Sequence, residues 1–177
     1  MPVSRETMLA KLRDAYTVYF DEEALPGDMP HLVACYAFHS SNECFVLSKK
    51  AKLWSAETNE YVYVFSLPHL DARTYTSCRE LAQEKGMSRV RPHIDHRSSS
   101  ITAVFICDSM DSDAAAELEK TRFHKDFLFS LHGWTDLRTA AVELTTGKVT
   151  VNRAGKELKD FMLGNLAKCN SIQEEIN

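Results

Sequence analysis

The feature that most constrains the fold is an apolar run at residues 101–107, with the sequence Ile-Thr-Ala-Val-Phe-Ile-Cys. A short run of this kind, rich in β-branched residues and without polar alternation, is typical of a strand buried on both faces. Such a strand lies in the interior of a sheet and not at its edge. The sequence therefore predicts a central strand here, with helices packed on the sheet.

Helices are predicted where apolar side chains recur at helical spacing next to capping residues. Ser4 is placed to cap the first helix, and Asp71 is placed to cap the second. Gly86 is placed to end the second helix. A short third helix opens at Asp111, where acidic residues favour the helix dipole. The first, second and last helices are expected at residues 4–20, 71–86 and 156–168.

Strands are predicted at residues 31–39, 43–49, 60–67, 101–107, 127–131, 140–144 and 149–151. The turn Ser40-Ser41-Asn42 is expected to join the first two. Helices on either side of the central strand permit parallel neighbours, while the short turns elsewhere require antiparallel pairs. We therefore expect an α+β fold in the order αβββαβαβββα: a single domain with a mixed, mostly antiparallel sheet of about six or seven strands and about four helices.

Composition excludes several classes of protein. A chain of 177 residues is expected to form one domain, residues 1–177. Its net charge of −4 is the opposite of the basic footprint of a nucleic-acid binder. It has no apolar run long enough for a membrane span, and its first residues are polar where a secretory signal is apolar. Five cysteines without a C-x-x-C pair indicate reduced thiols and a cytoplasmic protein.

Three runs of the sequence resemble a family of uncharacterised bacterial and archaeal proteins. They are ETNEYVYVF at residues 57–65, HGWTDLRTAAVEL at residues 132–144 and VNRAGKEL at residues 151–158. None of them is a catalytic signature. Since the family has no assigned activity, the resemblance implies no functional residue.

The most unusual segment for function is the basic segment, residues 85–97. It contains Lys85, Arg89, Arg91 and Arg97 against one acid, Asp95, in a chain that is acidic as a whole. We expect most of it to be a long loop, and such loops are often functional. Guanidinium groups suit carboxylate or phosphate, so these four cations are candidates for binding a small anion or a partner protein. The alternative is a solvated loop whose cations pair with acids elsewhere on the surface.

Within the basic segment, His93, Asp95 and His96 are a weak candidate metal site. The spacing is insufficient, because a helix would bring His93 and His96 together while an extended chain would bring His93 and Asp95 together. Any further ligands would have to come from distant positions such as His124, His132, Asp108 or Glu60. Ordinary loop histidines are the simpler interpretation, and we expect no bound metal.

Glu57 and Glu60 precede or open the third predicted strand, where acidic pairs serve as metal ligands or general bases in many hydrolases. The initial αβββαβ order also matches the core of restriction-endonuclease-like nucleases. Those nucleases need a lysine two residues after the strand acid, and this chain has Val62 there. Cys107 and Asp108 end the central strand, where ligand crevices often lie, but a buried structural cysteine is commoner than a nucleophile.

No catalytic constellation and no cofactor-binding motif is present, whether a dinucleotide fingerprint or a P-loop. The sequence therefore favours a non-enzymatic cytoplasmic domain without a cofactor. It would bind a protein partner, a second copy of the chain included, or a small anion. The alternative is a metal-dependent hydrolase that uses the histidines or the Glu57 and Glu60 pair.

Overall fold

The computed structural model describes residues 3–45 and 52–176, without the side chains of residues 43–45, 52–55 and 172–176. The element order αβββαβαβββα is confirmed, as is the α+β class. The helices and strands, in chain order, are α1 (Arg5–Tyr16), β1 (Asp21–Glu23), β2 (Leu32–Phe45), β3 (Lys52–Leu70), α2 (Ala72–Arg89), β4 (His96–Met110), α3 (Ser112–Lys120), β5 (His124–Asp126), β6 (Trp134–Glu143), β7 (Lys148–Val151) and α4 (Leu158–Ile176).

The seven strands form one mixed sheet in the order β1-β2-β3-β4-β6-β5, and β7 also pairs with β6. Strands β3, β4 and β6 are parallel, and the remaining pairs are antiparallel. The predicted central position of residues 101–107 is confirmed, because β4 lies between β3 and β6 and is buried from residue 99 to residue 107. The crossovers α2 and α3 make the two parallel pairings possible.

Helices cover both faces of this sheet. Side chains of α1 and α4 pack on one face around Val64, Val104 and Ala140. Side chains of α2 and α3 pack on the other face, where the Phe65 and Phe105 rings stack 5.1 Å apart. None of the helices in residues 3–45 and 52–176 is long and apolar enough to cross a membrane.

Both predicted N-caps of the first two helices are confirmed, but the predicted helix ends are wrong: α1 ends at Tyr16 and not at residue 20, and α4 continues beyond residue 168 to Ile176. The Ser4 and Asp71 side chains accept hydrogen bonds from the backbone N–H groups of Thr7 and Thr74. Helix α2 does not end at Gly86 but continues to Arg89. A Cβ atom at Gly86 would lie 2.6 Å from Cγ1 of Ile101, so this glycine is there to let α2 approach β4.

The predicted turn at Ser40-Ser41-Asn42 is also wrong. These residues lie inside β2 and pair with Thr58, Glu57 and Ala56 of β3. Their turn propensity is overridden because the ladder to the longer strand β3 satisfies their backbone groups, while their side chains stay at least partly exposed. The predicted strand at residues 43–49 begins inside β2, and residues 46–49 lie outside the described residues.

The predicted strand at residues 127–131 is a turn. Strand β5 ends at Asp126 and pairs with Trp134 at the start of β6, so residues 127–133 connect the two. Leu128, Phe129 and Ser130 all have positive φ angles, near 50–65°, which a strand cannot adopt. Phe129 is 96% exposed. The alternation of apolar residues was misleading here, since no face of a sheet receives them.

Candidate functional site

One face of the sheet changes from apolar to polar toward the N-terminal ends of β4 and β6. One half of this sheet face is apolar and lies under α1 and α4. In the other half, the strand register places four polar residues in one row across β3, β4, β6 and β5: Glu60, Ser100, Asp136 and His124. The adjacent row contains Thr102 and Arg138, paired across β4 and β6. Polar side chains on neighbouring strands thus lie side by side next to the helices, with Ser100 and Thr102 buried among them.

A cleft of about 430 Å³ lies at the β6 side of this surface. We call it the arginine cleft; its main lining side chains are Arg122, Phe123, His124, Asp136, Arg138 and Arg153. Three arginines, one aspartate and one histidine therefore line the same cleft. The arginines come from three segments: the end of α3, strand β6 and the turn after β7.

Asn152 fixes the three segments relative to one another. Its Nδ2 donates hydrogen bonds to the carbonyl oxygens of Thr121 (3.1 Å) and Leu137 (2.9 Å). Its Oδ1 accepts hydrogen bonds from the backbone N–H groups of Thr139 (3.0 Å) and Gly155 (2.8 Å). The side chain is buried and uses all of its hydrogen-bonding groups in this way.

Each arginine of the cleft is a chain neighbour of a residue that Asn152 holds. Arg122 follows Thr121, Arg138 lies between Leu137 and Thr139, and Arg153 follows Asn152 itself. One buried amide therefore sets the backbone positions from which all three guanidinium groups reach the cleft. This arrangement is preorganised, which is what binding a small ion requires.

Gly155 is necessary for this arrangement. A Cβ atom there would lie 2.9 Å from Oδ1 of Asn152 and 3.0 Å from the carbonyl oxygen of Thr139. Those contacts are closer than real Cβ atoms tolerate, so only glycine lets the turn approach the amide.

His124 adds a further positive group to the cleft. Its Nδ1 lies 2.6 Å from Oδ1 of Asp136, and its Nε2 lies 3.1 Å from Oδ2 of Asp126. An imidazole between two carboxylates donates from both nitrogens only when it is protonated. The hydrogen bond to Asp136 is the main cause that raises the pKa of His124 above its ordinary value.

A second cavity, of about 300 Å³, adjoins the arginine cleft and shares Arg138 with it. We call it the aromatic cavity; its apolar walls include Tyr16, Tyr19, Phe20, Leu158 and Phe161. Glu60 and Glu157 also line it.

Charged and polar groups meet where the two cavities join. Oε1 of Glu60 accepts a hydrogen bond of 2.7 Å from the Thr102 hydroxyl. Oε2 of Glu60 lies 3.7 Å from Nη1 of Arg138, beyond hydrogen-bonding distance. The Tyr16 hydroxyl is buried and makes no hydrogen bond to the described residues. Burial is the main cause that raises the pKa of Tyr16, and Glu60 contributes to the rise.

The basic segment is not the long loop that the sequence predicted. Lys85 and Arg89 lie on α2, and Arg97 lies on β4, so only residues 90–95 connect the two elements. The helix continues because Gly86 packs against Ile101 and does not end it. The four candidate cations therefore extend along a helix end and a strand start instead of sharing one flexible loop.

Some of these cations have acidic partners. Nη1 and Nη2 of Arg89 lie 2.6 and 2.7 Å from the carboxylate of Glu23, in a bidentate pair. Nζ of Lys85 lies 2.7 Å from Oδ2 of Asp28. Arg91 donates to the carbonyl oxygens of Ser88 and Val90, and Arg97 is exposed. Surface pairing, the alternative interpretation, thus describes Lys85 and Arg89.

The candidate metal ligands of the segment point to different partners. Nε2 of His93 lies 2.9 Å from Oε2 of Glu57, and Nδ1 of His93 accepts from the N–H of Asp95. His96 is buried, and its ring nitrogens lie 2.6 Å from the carbonyl oxygen of His132 and 2.8 Å from the Ser99 hydroxyl. Among the residues that the structure describes, no three His, Cys, Asp or Glu side chains form a metal-binding group.

Glu57 and Glu60 do not form a pair. Both lie well inside the long strand β3, with Glu57 opposite Ser41 and Glu60 opposite Phe38 of β2. Side chains alternate along a strand, so these two project from opposite faces of the sheet. Glu57 contacts His93, whereas Glu60 belongs to the aromatic cavity.

Cys107 and Asp108, at the end of the central strand, are structural. Cys107 is fully buried, and burial is the main cause that raises its pKa to about 12. A thiol with such a pKa is not a nucleophile at neutral pH. Oδ2 of Asp108 lies 3.1 Å from Nε of Arg5 and links α1 to the sheet.

Sequence reasoning missed the arginine cleft altogether. The available signal was weak: Asp136 and Arg138 are charged residues that alternate with buried residues on β6. Asn152 and Gly155 carried no signal, because their role depends on contacts with α3 and β6.

Comparison with known proteins bears on the family alone. Neither the curated proteins nor the solved structures include a match to this chain. A family model described as Domain of unknown function (DUF8052) matches residues 4–163, which include α1, the whole sheet and the start of α4. The chain belongs to this family of domains of unknown function.

Proposed function

We propose that this protein is a non-enzymatic domain that binds a small anion, through a phosphate or carboxylate group, in the arginine cleft. The observation that carries the proposal is the convergence of Arg122, Arg138 and Arg153 on one cleft, held by the single buried amide of Asn152. Guanidinium groups match the planar forks of carboxylate and phosphate oxygens.

The guanidinium groups of the cleft keep donors for a ligand. Arg122 uses Nη1 to donate to the carbonyl oxygens of Glu119 and Thr121, which leaves its other nitrogens for the cleft. Arg138 forms a salt bridge with Glu60, but the distance of 3.7 Å from Nη1 to Oε2 is too long for a hydrogen bond. Arg89 is the contrast, since a bidentate pair with Glu23 already occupies both of its terminal nitrogens.

Electrostatics favours the same conclusion. The chain has a net charge of −4, yet three arginines line this cleft beside one carboxylate, Asp136, which makes the cleft locally positive. A concave site of one sign focuses the field and concentrates ions of the opposite sign. An anion is therefore attracted to this cleft more strongly than to the rest of the surface.

The setting we propose is cytoplasmic. Cys35, Cys78, Cys107 and Cys169 are all free and buried. Free cysteines are usual in a reducing compartment, where disulfides are rare.

The hydrolase alternative receives no comparable support. It relied on the histidines or on Glu57 and Glu60 acting together. His93 and His96 have separate partners, Glu57 and the carbonyl oxygen of His132, and the two glutamate side chains lie on opposite faces of β3. Val62, at the position of the missing lysine, is fully buried in the core under α1.

Calorimetric titration with inorganic phosphate tests the proposal. The Arg138→Gln/Arg153→Gln variant should bind phosphate at least about tenfold more weakly, since a hydrogen bond to a charged group contributes about 1.5–3 kcal/mol. The matched control is Arg91→Gln/Arg97→Gln, which removes two arginines of the basic segment and should keep wild-type affinity. Thermal melting of both variants checks that each is folded.

Two results would contradict the proposal. If the control loses phosphate and the cleft variant retains it, the anion binds at the basic segment. If neither phosphate nor acetate binds to the wild-type protein at millimolar concentration, the cleft is not an anion site.

A further inference from the structure

We infer that the ligand of the arginine cleft carries an apolar ring, which the adjoining aromatic cavity receives while the arginines hold its anionic group. This inference rests on the proposed function, because it assigns the second half of the same ligand. It names the ligand class: an aryl phosphate or aryl carboxylate.

The two cavities are placed to receive one molecule. Both are lined by Arg138, so an anion paired with that guanidinium lies at the mouth of each. With volumes of about 430 and 300 Å³, they together fall within the range of roughly 300–1,000 Å³ usual for small-molecule sites. A mostly apolar pocket joined to a few fixed polar groups is the usual design of such a site.

The walls of the aromatic cavity suit a flat ring. The Tyr16 ring meets Phe20 and Phe161 edge to face, with centroids 5.2 and 5.1 Å apart, so its position is fixed from two sides. Leu158 closes the cavity from α4, while Tyr19 lies at the rim with 77% of its surface exposed. One face of the Tyr16 ring is already stacked on Tyr36, with centroids 4.9 Å apart, so an entering ring would contact the other apolar residues of the cavity.

The Tyr16 hydroxyl is the second observation that points to a ligand. It is buried, has no hydrogen-bond partner among the described residues, and belongs to a side chain that lines the cavity. Glu60 and Arg138 line the same cavity as Tyr16. An unpartnered buried hydroxyl is costly, and because solvent does not reach it in this structure, a ligand oxygen would satisfy it after a small movement of the Tyr16 side chain.

Methyl phosphate and phenyl phosphate test the inference, because they carry the same anionic group and differ in the ring. We expect wild-type protein to bind phenyl phosphate on the order of tenfold more tightly than methyl phosphate, from the apolar area that the ring buries. Phe161→Ala should remove this difference and leave methyl phosphate affinity unchanged. Tyr19→Ala should reduce the difference, and its exposed position keeps the test valid if Phe161→Ala does not fold.

Arg153→Gln separates the two proposals, since it should weaken the binding of both esters by a similar factor. Equal wild-type affinity for the two esters would overturn the ring assignment and leave the anion site standing. Tighter binding of phenyl phosphate that Arg153→Gln does not affect would overturn the anion site, and the ring assignment with it.

Discussion

Replacing Asn152 by alanine is the substitution that best probes how the arginine cleft is built. The change removes four hydrogen bonds at once, two accepted from backbone N–H groups and two donated to carbonyl oxygens. The Leu137 carbonyl and the Thr139 N–H lose this partner, whereas the Thr121 carbonyl keeps its hydrogen bond from Nη1 of Arg122 and the Gly155 N–H keeps its hydrogen bond to the backbone carbonyl of residue 152.

The expected cost follows mainly from the Leu137 and Thr139 groups, with smaller contributions from the two hydrogen bonds lost at Thr121 and Gly155. An unsatisfied buried donor or acceptor costs about 1–3 kcal/mol, and water entering the space of the lost amide recovers part of that. We expect the free energy of unfolding to fall by about 3–5 kcal/mol, a large part of the roughly 5–15 kcal/mol that stabilises a typical domain.

Urea unfolding followed by circular dichroism measures this loss, and Asn165→Ala is the matched control. Asn165 is also buried, but its side chain makes one hydrogen bond to the described residues. Its Nδ2 donates to the carbonyl oxygen of Phe161, 2.8 Å away in the same helix. The control should cost about 1 kcal/mol. If Asn152→Ala costs no more than Asn165→Ala, the amide does not hold the three segments together and the reasoning is refuted.

Three further predictions concern local physics. Gly86→Ala should lower the melting temperature, because its methyl group would collide with Ile101. Gly164→Ala has open space around it and should raise the melting temperature, through a helix-propensity gain of about 0.5–1 kcal/mol. A rise in both variants would show that α2 does not approach β4 closely. Phe129→Gly should stabilise the fold by about 1 kcal/mol in urea unfolding, because it relieves a left-handed backbone at an exposed side chain that packs on nothing; a loss of stability would mean that the ring is packed. NMR should show that His124 titrates above its ordinary pKa. The stabilisation by its charged form is then fully present below about pH 6.5 and is lost as the pH rises through the raised pKa. In Asp136→Asn the pKa of His124 should fall toward its ordinary value. An unchanged His124 pKa in that variant would exclude the hydrogen bond as its cause.

Features encoded by neighbouring residues could be predicted from the sequence. The caps at Ser4 and Asp71 depend on residues three positions apart, and the central strand on seven consecutive residues. The sheet order, with β7 beside β6 and β4 in the centre, followed only in part from helix crossovers. The caps and the central strand depend on local propensity and burial, which a sequence displays directly.

Features that depend on distant contacts could not be predicted. In the sequence, Gly86 resembles the end of a helix. Its role depends on a distant contact, because a Cβ atom at this position would lie 2.6 Å from Ile101. The sequence Ser40-Ser41-Asn42 resembles a turn, but these residues belong to β2 because they pair with β3. The arginine cleft is the extreme case, since its three arginines become neighbours only through strand pairing and one buried amide. Propensity yields to tertiary contacts at such positions.

The measurement that tests the central claim most directly is an NMR titration with inorganic phosphate that follows the arginine side-chain Nε–H signals. Arg122, Arg138 and Arg153 should shift together along one saturating curve, because they line one cleft. The Arg89 signal should not shift, because both terminal nitrogens of Arg89 are already paired with the Glu23 carboxylate. Saturating shifts confined to other arginines, or shifts that increase without saturation at every arginine, would contradict the claim that this cleft binds an anion.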